Sequence, residues 1–205
     1  MIGIIDYGMG NLMSVFNAVE YLGFDAEICS DPARLYLMER IILPGVGAFG
    51  DCMRNLENGG FKEVLNQLVL KEKKPILGIC LGMQAMAETG HEGGMIKGLA
   101  WFDAEVVRIE PSDPKLKVPQ IGWNNIVRKK DHPILKGLPE SPDLYFVHSF
   151  HMKCKRREDL LAVCDYGGEV TAAVAKENIC ATQFHPEKSQ DYGLKILENF
   201  LTWNP

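Results

Sequence analysis

PILGICLGMQ, residues 75–84, runs from an apolar stretch through Gly78-x-Cys80-x-Gly82 into a helix-forming segment. A short apolar run that ends at glycines and opens a helix reads as a buried strand turning sharply, the layout of a nucleophile elbow with sulfur in place of oxygen. Small neighbours let backbone segments come close at such a turn. A helix N-terminus beyond it would favour the thiolate of Cys80 and aim the Leu81 N–H at an oxyanion. A cysteine is otherwise most simply a small core residue, so the chemical reading needs a base and an orienter elsewhere in the chain.

Upstream, MIGIID, NLMSVFNAVEYLG, DAEICS, RIILPG and NLENGGFKEVLNQLVLKEK alternate strand-like and helix-like patterns. Strands separated by crossover helices predict right-handed βαβ units and a parallel sheet. In NLMSVFNAVEYLG, Leu12, Val15, Val19 and Leu22 share one face, Asn11 is placed to cap the start and Gly23 to end the helix. From about residue 100 the texture changes to successive β-type runs: WFDAEVVRIE, QIGWNNIVRK, DLYFVHSFHMKC, LLAVCDYG and VTAAVAKENICATQF. These predict antiparallel additions to the sheet, and YGLKILENFLTW closes the chain as a helix. With no repeat and no polar linker, residues 1–205 are expected to form one α/β domain.

Net charge is −5, and basic residues are dispersed apart from KEKK and KCKRR, so no electrostatic footprint for nucleic acid is present. The N-terminus lacks a basic n-region, and no stretch approaches about 20 apolar residues, so neither a signal peptide nor a membrane span is expected and the cytoplasm is the expected compartment. Six cysteines without a C-x-x-C pair argue against a disulfide framework and a zinc ribbon. His148 and His151 stand three apart in a strand-like stretch, which sends their rings to opposite faces. No metal or cofactor is expected.

Gly45, Gly47 and Gly50 form a G-x-G-x-x-G after a strand, the dinucleotide fingerprint, which would make this a nucleotide-binding module. That fingerprint expects an acid at the end of the next strand, where this chain has Cys80. For Cys80, the best-placed base is His185 in ATQFHPEKS. Pro186 keeps His185 extended, and Glu187, two residues on, falls on the same side and can fix the imidazole tautomer. Cys80, His185 and Glu187 thus make a candidate triad. His91 and His132 read as surface residues, and His148 as a structural strand histidine.

PGVGAF, GICLGMQ, YFVHSF and QFHPEKSQ, in this order, resemble class I glutamine amidotransferase domains. With DYGMGNLMSV and VPQIGWN the resemblance sharpens to the glutaminase subunits of imidazole glycerol phosphate synthase in histidine biosynthesis. It covers essentially the whole chain. The resemblance implies an open, flavodoxin-like, mostly parallel sheet with helices on both faces, and hydrolysis of glutamine to glutamate and ammonia by Cys80, His185 and Glu187. It places Val46 and Leu81 as oxyanion donors, and Gly47, Gln84, Glu88, His148 and Ser149 at the substrate, with Gln84 and Glu88 on one face of the elbow helix. It implies a separate (β/α)₈-barrel cyclase subunit as partner in a heterodimer, met by Asn11, Gln120, Ile121, Trp123 and Lys188. Such members usually carry histidine and methionine where this chain has Gln120 and Ile121, which leaves open a paralogous glutaminase supplying ammonia for amidation of a surface-polysaccharide sugar. A non-catalytic regulatory subunit is the third alternative.

Overall fold

The computed structural model describes residues 1–205. Its first half is the expected alternation: β1 (Ile2–Ile5), α1 (Leu12–Tyr21), β2 (Ala26–Cys29), β3 (Arg40–Gly45), α2 (Phe49–Asn58), α3 (Phe61–Leu65) and β4 (Ile76–Cys80). The short α4 (Leu81–Ala85) follows β4 directly, and then β5 (Ala87–Gly90), β6 (Ile96–Lys97) and β7 (Phe102–Arg108). The remainder is β8 (Gln120–Asn125), β9 (Val127–Arg128), β10 (Asp143–His148), β11 (Phe150–Cys154), β12 (Leu160–Asp165), β13 (Glu169–Lys176), β14 (Ile179–Thr182) and α5 (Gln190–Thr202).

Eight strands form the main sheet in the order β2-β1-β3-β4-β14-β13-β12-β9. Strands β2, β1, β3, β4 and β14 pair in parallel, and β13, β12 and β9 add antiparallel. Strand alternation splits the core between the two faces. Ile2, Ile4, Ile42, Leu77 and Ile79 pack with Val15 and Val19 of α1 and Leu197 and Phe200 of α5. Ile5, Ile41, Leu43 and Ile76 pack with Phe49 and Leu56 of α2 and Phe61 of α3. Helices therefore cover both faces, as a parallel sheet requires. Outside this sheet, β11-β7-β5-β6 form a four-stranded sheet and β10-β8 a ribbon. No helix is long and apolar enough to cross a membrane.

The α1 termini split the expectation. Gly23 takes φ +82°, its N–H reaches Glu20 O and the Phe24 N–H reaches Val19 O, closing the helix as a Schellman motif. Asn11 occupies the N-cap position, yet its side chain accepts no capping bond. The stretch DLYFVHSFHMKC, read as one run, breaks at Ser149 into β10 and β11, which belong to different sheets.

One expectation fails outright. The elbow helix ends at Ala85 and Glu88 lies in β5, so Gln84 and Glu88 do not share a helical face. The cause is non-local: the N–H groups of Leu99, Trp101 and Phe102 take the Ala85 and Met86 carbonyls, and the Gly98 N–H takes that of Glu88. Segment 98–102 thus satisfies the acceptors that a longer helix would have used internally. Gly98 makes the approach possible, since a Cβ there would fall 2.1 Å from Ala87 O.

Candidate active site

The elbow is built by close approach. Gly82 in the first turn of α4 sits so near β3 that a Cβ would fall 1.8 Å from Leu43 O, and one on Gly78 would meet Gly82 O at 2.9 Å. With both flanks pressed in, Cys80 is held at φ 55°, ψ −107°, a region that L side chains rarely adopt. Such strain persists only where the surroundings over-determine it, and it clusters at functional positions. The turn leaves Cys80 6% exposed on the wall of a cavity of about 240 Å³. That is below the range of about 300–1,000 Å³ typical of drug-sized ligands and suits an amino-acid-sized one.

Val46, Gly47, Leu81, Gln84, His148 and Ser149 line the same cavity, so these expected site residues converge on Cys80. Gly47 lies at φ +117°, a conformation that L side chains rarely adopt, so the loop after β3 needs glycine for its backbone; the Met9 Cε that an added Cβ would meet at 2.6 Å is the end of a flexible side chain and can move aside. Glu88 is absent from the lining. Its carboxylate is about half exposed and pairs with Lys155 at 3.3 Å. The acid that does reach the cavity is Glu92, whose Oε2 accepts the Phe49 N–H at 2.8 Å at the start of α2. Glu92 therefore joins the loop that follows β5 to the glycine loop.

His185 follows β14, the strand beside β4. Its N–H bonds Tyr145 O at 2.9 Å and its carbonyl accepts the Ser189 hydroxyl at 2.6 Å, while Ser189 Oγ accepts the Tyr145 N–H, so the segment is locked to β10. Nδ1 of His185 meets Glu187 Oε1 at 2.8 Å with both side chains at most 2% exposed. Nε2 is buried and makes no hydrogen bond. Burial pulls the imidazole pKa down, but Cys80 and Glu187 outweigh it and raise it to about 9. Below that value the ring is an imidazolium between two acids.

His148 differs. It is buried, its Nδ1 lies 2.8 Å from Phe150 O, and burial takes its pKa down to about 4, so the ring is neutral. Because a carbonyl only accepts, Nδ1 carries the proton and the unpartnered Nε2 is an acceptor. Two further side chains went unread in the sequence. One is Glu92. The other is Gln183, fully buried, whose Nε2 lies 3.6 Å from Cys80 Sγ. A signal for Gln183 existed: it stands two residues before His185, the same spacing that linked His185 to Glu187.

A second sulfur–imidazole neighbourhood tests the specificity of this geometry. Cys154 and His151 border a larger cavity of about 630 Å³. Burial pushes the Cys154 thiol up to about 12 and the His151 ring down to about 4, so neither is charged near neutrality. That pair has no means of forming a nucleophile.

The expected partner-facing residues divide. Ile121 and Trp123 are 63% and 46% exposed, and Lys188 is exposed. Trp123 packs edge-on against Tyr145 and shares a cavity with Ser189, while α1, begun by the half-buried Asn11, contacts the Pro186–Lys188 turn. Gln120, by contrast, is 2% exposed with Nε2 directed at Cys164 Sγ. Adjacent residues of a strand face opposite sides, so Gln120 and Ile121 cannot both reach a partner, and the burial of Gln120 corrects that expectation.

A cysteine at a strained elbow and a glycine loop on one small cavity, with a buried His–Glu pair behind the sulfur, are the arrangement of a class I amidotransferase fold, and the family comparison agrees. The Glutamine amidotransferase class-I family model matches residues 3–203. The imidazole glycerol phosphate synthase subunit HisH of Brucella abortus is 50% identical over 214 residues, spanning 100% of this chain and 99% of that one. HisH 2 of Nitrobacter winogradskyi is 47% identical over 209 residues, with the same coverage. A solved structure described as a glutamine amidotransferase overlays with TM-score 0.75 at 18% identity, covering 98% of this chain and 99% of that one. The chain belongs to the class I glutamine amidotransferases and, within them, to the HisH subunits of imidazole glycerol phosphate synthase.

Proposed function

We propose that this chain hydrolyses glutamine at Cys80 and passes the ammonia to a synthase subunit in the imidazole glycerol phosphate synthase step of histidine biosynthesis. The observation that carries the chemistry is Cys80 at a forced turn beside a His185 whose other nitrogen is engaged by Glu187. The HisH names of the relatives carry the pathway.

Cys80 Sγ attacks the side-chain amide carbon of glutamine, and the carbonyl oxygen becomes an oxyanion facing the N–H groups of Leu81 and Val46. His185, protonated at rest, gives its proton to the leaving nitrogen, and ammonia departs as the thioester forms. The neutral imidazole then takes a proton from water, which attacks the thioester through a second oxyanion, and glutamate leaves with Cys80 restored. Glu187 holds the imidazole tautomer and stabilises the imidazolium whenever it forms, while Glu92 offers a carboxylate to the substrate ammonium and Gln84 and Ser149 line its path. No step calls for a cofactor, and the glycine loop serves the oxyanion rather than a nucleotide.

Residues 1–205 act as one glutaminase domain in the cytoplasm. Ile121, Trp123, Lys188 and Asn11 meet the partner, a (β/α)₈-barrel cyclase, in a heterodimer. Glutaminase assays of Cys80→Ala alone and with the partner test the reading: turnover should be lost with circular dichroism unchanged. Ammonia release persisting in Cys80→Ala would remove the assignment.

A further inference from the structure

We propose that Gln183 controls the reactive sulfur: its side-chain amide donates a hydrogen bond to Cys80 Sγ and is held in that orientation by Gln84, stabilising negative charge on the sulfur. This rests on the reading of Cys80 as the nucleophile.

The polarity follows from one acceptor. Gln84 Nε2 lies 2.8 Å from Phe150 O, and a main-chain carbonyl accepts only, so the NH₂ end of Gln84 faces it. The second hydrogen on that nitrogen serves Gln183, 3.0 Å away, which must therefore present its oxygen. The NH₂ end of Gln183 is left for the sulfur at 3.6 Å. Turning either amide over would set N–H against N–H, or oxygen against oxygen, in a buried site, so the relay has a single direction. The same Phe150 carbonyl also takes the His148 Nδ1 proton, so one acceptor fixes three side chains around the cavity.

Opposing this donor is Val147 O, 3.9 Å from Sγ, which can be met only by the thiol form. Gln183 can be met as a donor by the thiolate, so the two neighbours favour opposite protonation states. Charged and titratable groups surround the sulfur from several elements: His185 after β14, neutral His148 on β10, Tyr7 after β1, and Glu92 from the loop beyond β5. Burial pushes the Tyr7 hydroxyl far up, so it remains neutral, and His185 is the cation of the set. His185 gives up its proton during the reaction, whereas the Gln183 donor persists through every step.

The test uses the full chain with Gln183→Met, which keeps length and volume but removes the donor. Iodoacetamide alkylation of Cys80 is followed from pH 5 to 10 on its own peptide by mass spectrometry. The expected result is a midpoint raised by about one unit, a tenfold smaller thiolate fraction below it, with kcat for glutamine falling about tenfold and KM within about twofold. Gln183→Glu should raise the midpoint further, because a carboxylate replaces the donor beside the anion. An unshifted midpoint in Gln183→Met, whatever happens to Tm, would reduce Gln183 to packing and overturn the proposal. If Gln183→Met does not fold, Gln183→Asn, too short to reach the sulfur, is read in the same way. Loss of activity in Cys80→Ala together with an unshifted Gln183→Met profile defeats this proposal alone, while an active Cys80→Ala defeats the underlying reading.

Discussion

Cys80 and Glu92 face one cavity from walls built by opposite means. The Cys80 wall is main chain pressed on main chain: β4 lies between β3 and β14, and Gly78 and Gly82 admit contacts that leave no room for a methyl group. The Glu92 wall is two loops joined by a side chain, the Glu92 carboxylate on the Phe49 N–H, and in its Gly93–Gly94 stretch an added Cβ would meet nothing within 4 Å. In the proposed reaction, one wall would fix the reacting atom and the other would hold what surrounds the rest of the substrate. A nucleophile displaced by an ångström loses much of its rate, whereas a substrate-gripping loop must open to load and release.

The largest effect expected of this contrast is on stability. Gly82→Ala should cost about 4 kcal/mol or more, because its Cβ would collide with a carbonyl of the central sheet and neither backbone can yield. Gly93→Ala, at φ +74° in open space, should cost only about 1 kcal/mol. Urea denaturation of both variants measures the difference. Equal costs would erase the distinction between the walls.

Next in size is Glu187→Gln, expected to lower kcat/KM by about 100-fold through loss of the imidazolium's partner. Its pH signature is specific. In the folded wild type the His185 pKa is raised to about 9, above the ordinary 6.5, so the proton donor is present below that value and the rate should fall as pH rises through about 9. The same shift makes His185 a stabilising group at pH below 6.5, with that contribution lost as pH climbs through about 9. Burial opposes the shift, and Cys80 and Glu187 produce it, so removing the Glu187 charge should move the basic limb toward lower pH. An unmoved limb would detach it from His185.

The difference between the walls also explains what could be read from sequence. The Cys80 wall is local: strand, elbow and helix start lie within PILGICLGMQ, and His185 with Glu187 lie within QFHPEKSQ, so spacing could make them candidates. Fold class followed for the same reason, from the alternation of strand and helix patterns in residues 1–80. Glu92 depends on a contact across 43 residues, and the stop of α4 depends on segment 98–102, neither of which leaves a local pattern. Gln120 is the opposite case: strand alternation was available and separates it from Ile121.

Glu92→Gln should raise KM for glutamine by about tenfold with kcat within about twofold, since an uncharged amide loses the attraction for the substrate ammonium but not the Phe49 tether. A kcat effect as large as the KM effect would mean that the tether also sets the oxyanion loop, blurring the two walls into one.

The smallest effect belongs to Glu88. Its ion pair with Lys155 is exposed on both sides, and Lys155 keeps a second partner in Asp103 at 2.8 Å. Glu88→Gln should change stability by about 0.5 kcal/mol or less and leave both kinetic constants alone. The result matters because Glu88 would reach the substrate only if α4 continued past Ala85. A raised KM in Glu88→Gln would mean that segment 98–102 releases the Ala85 and Met86 carbonyls when glutamine binds and that the helix extends, making the Cys80 wall the mobile one.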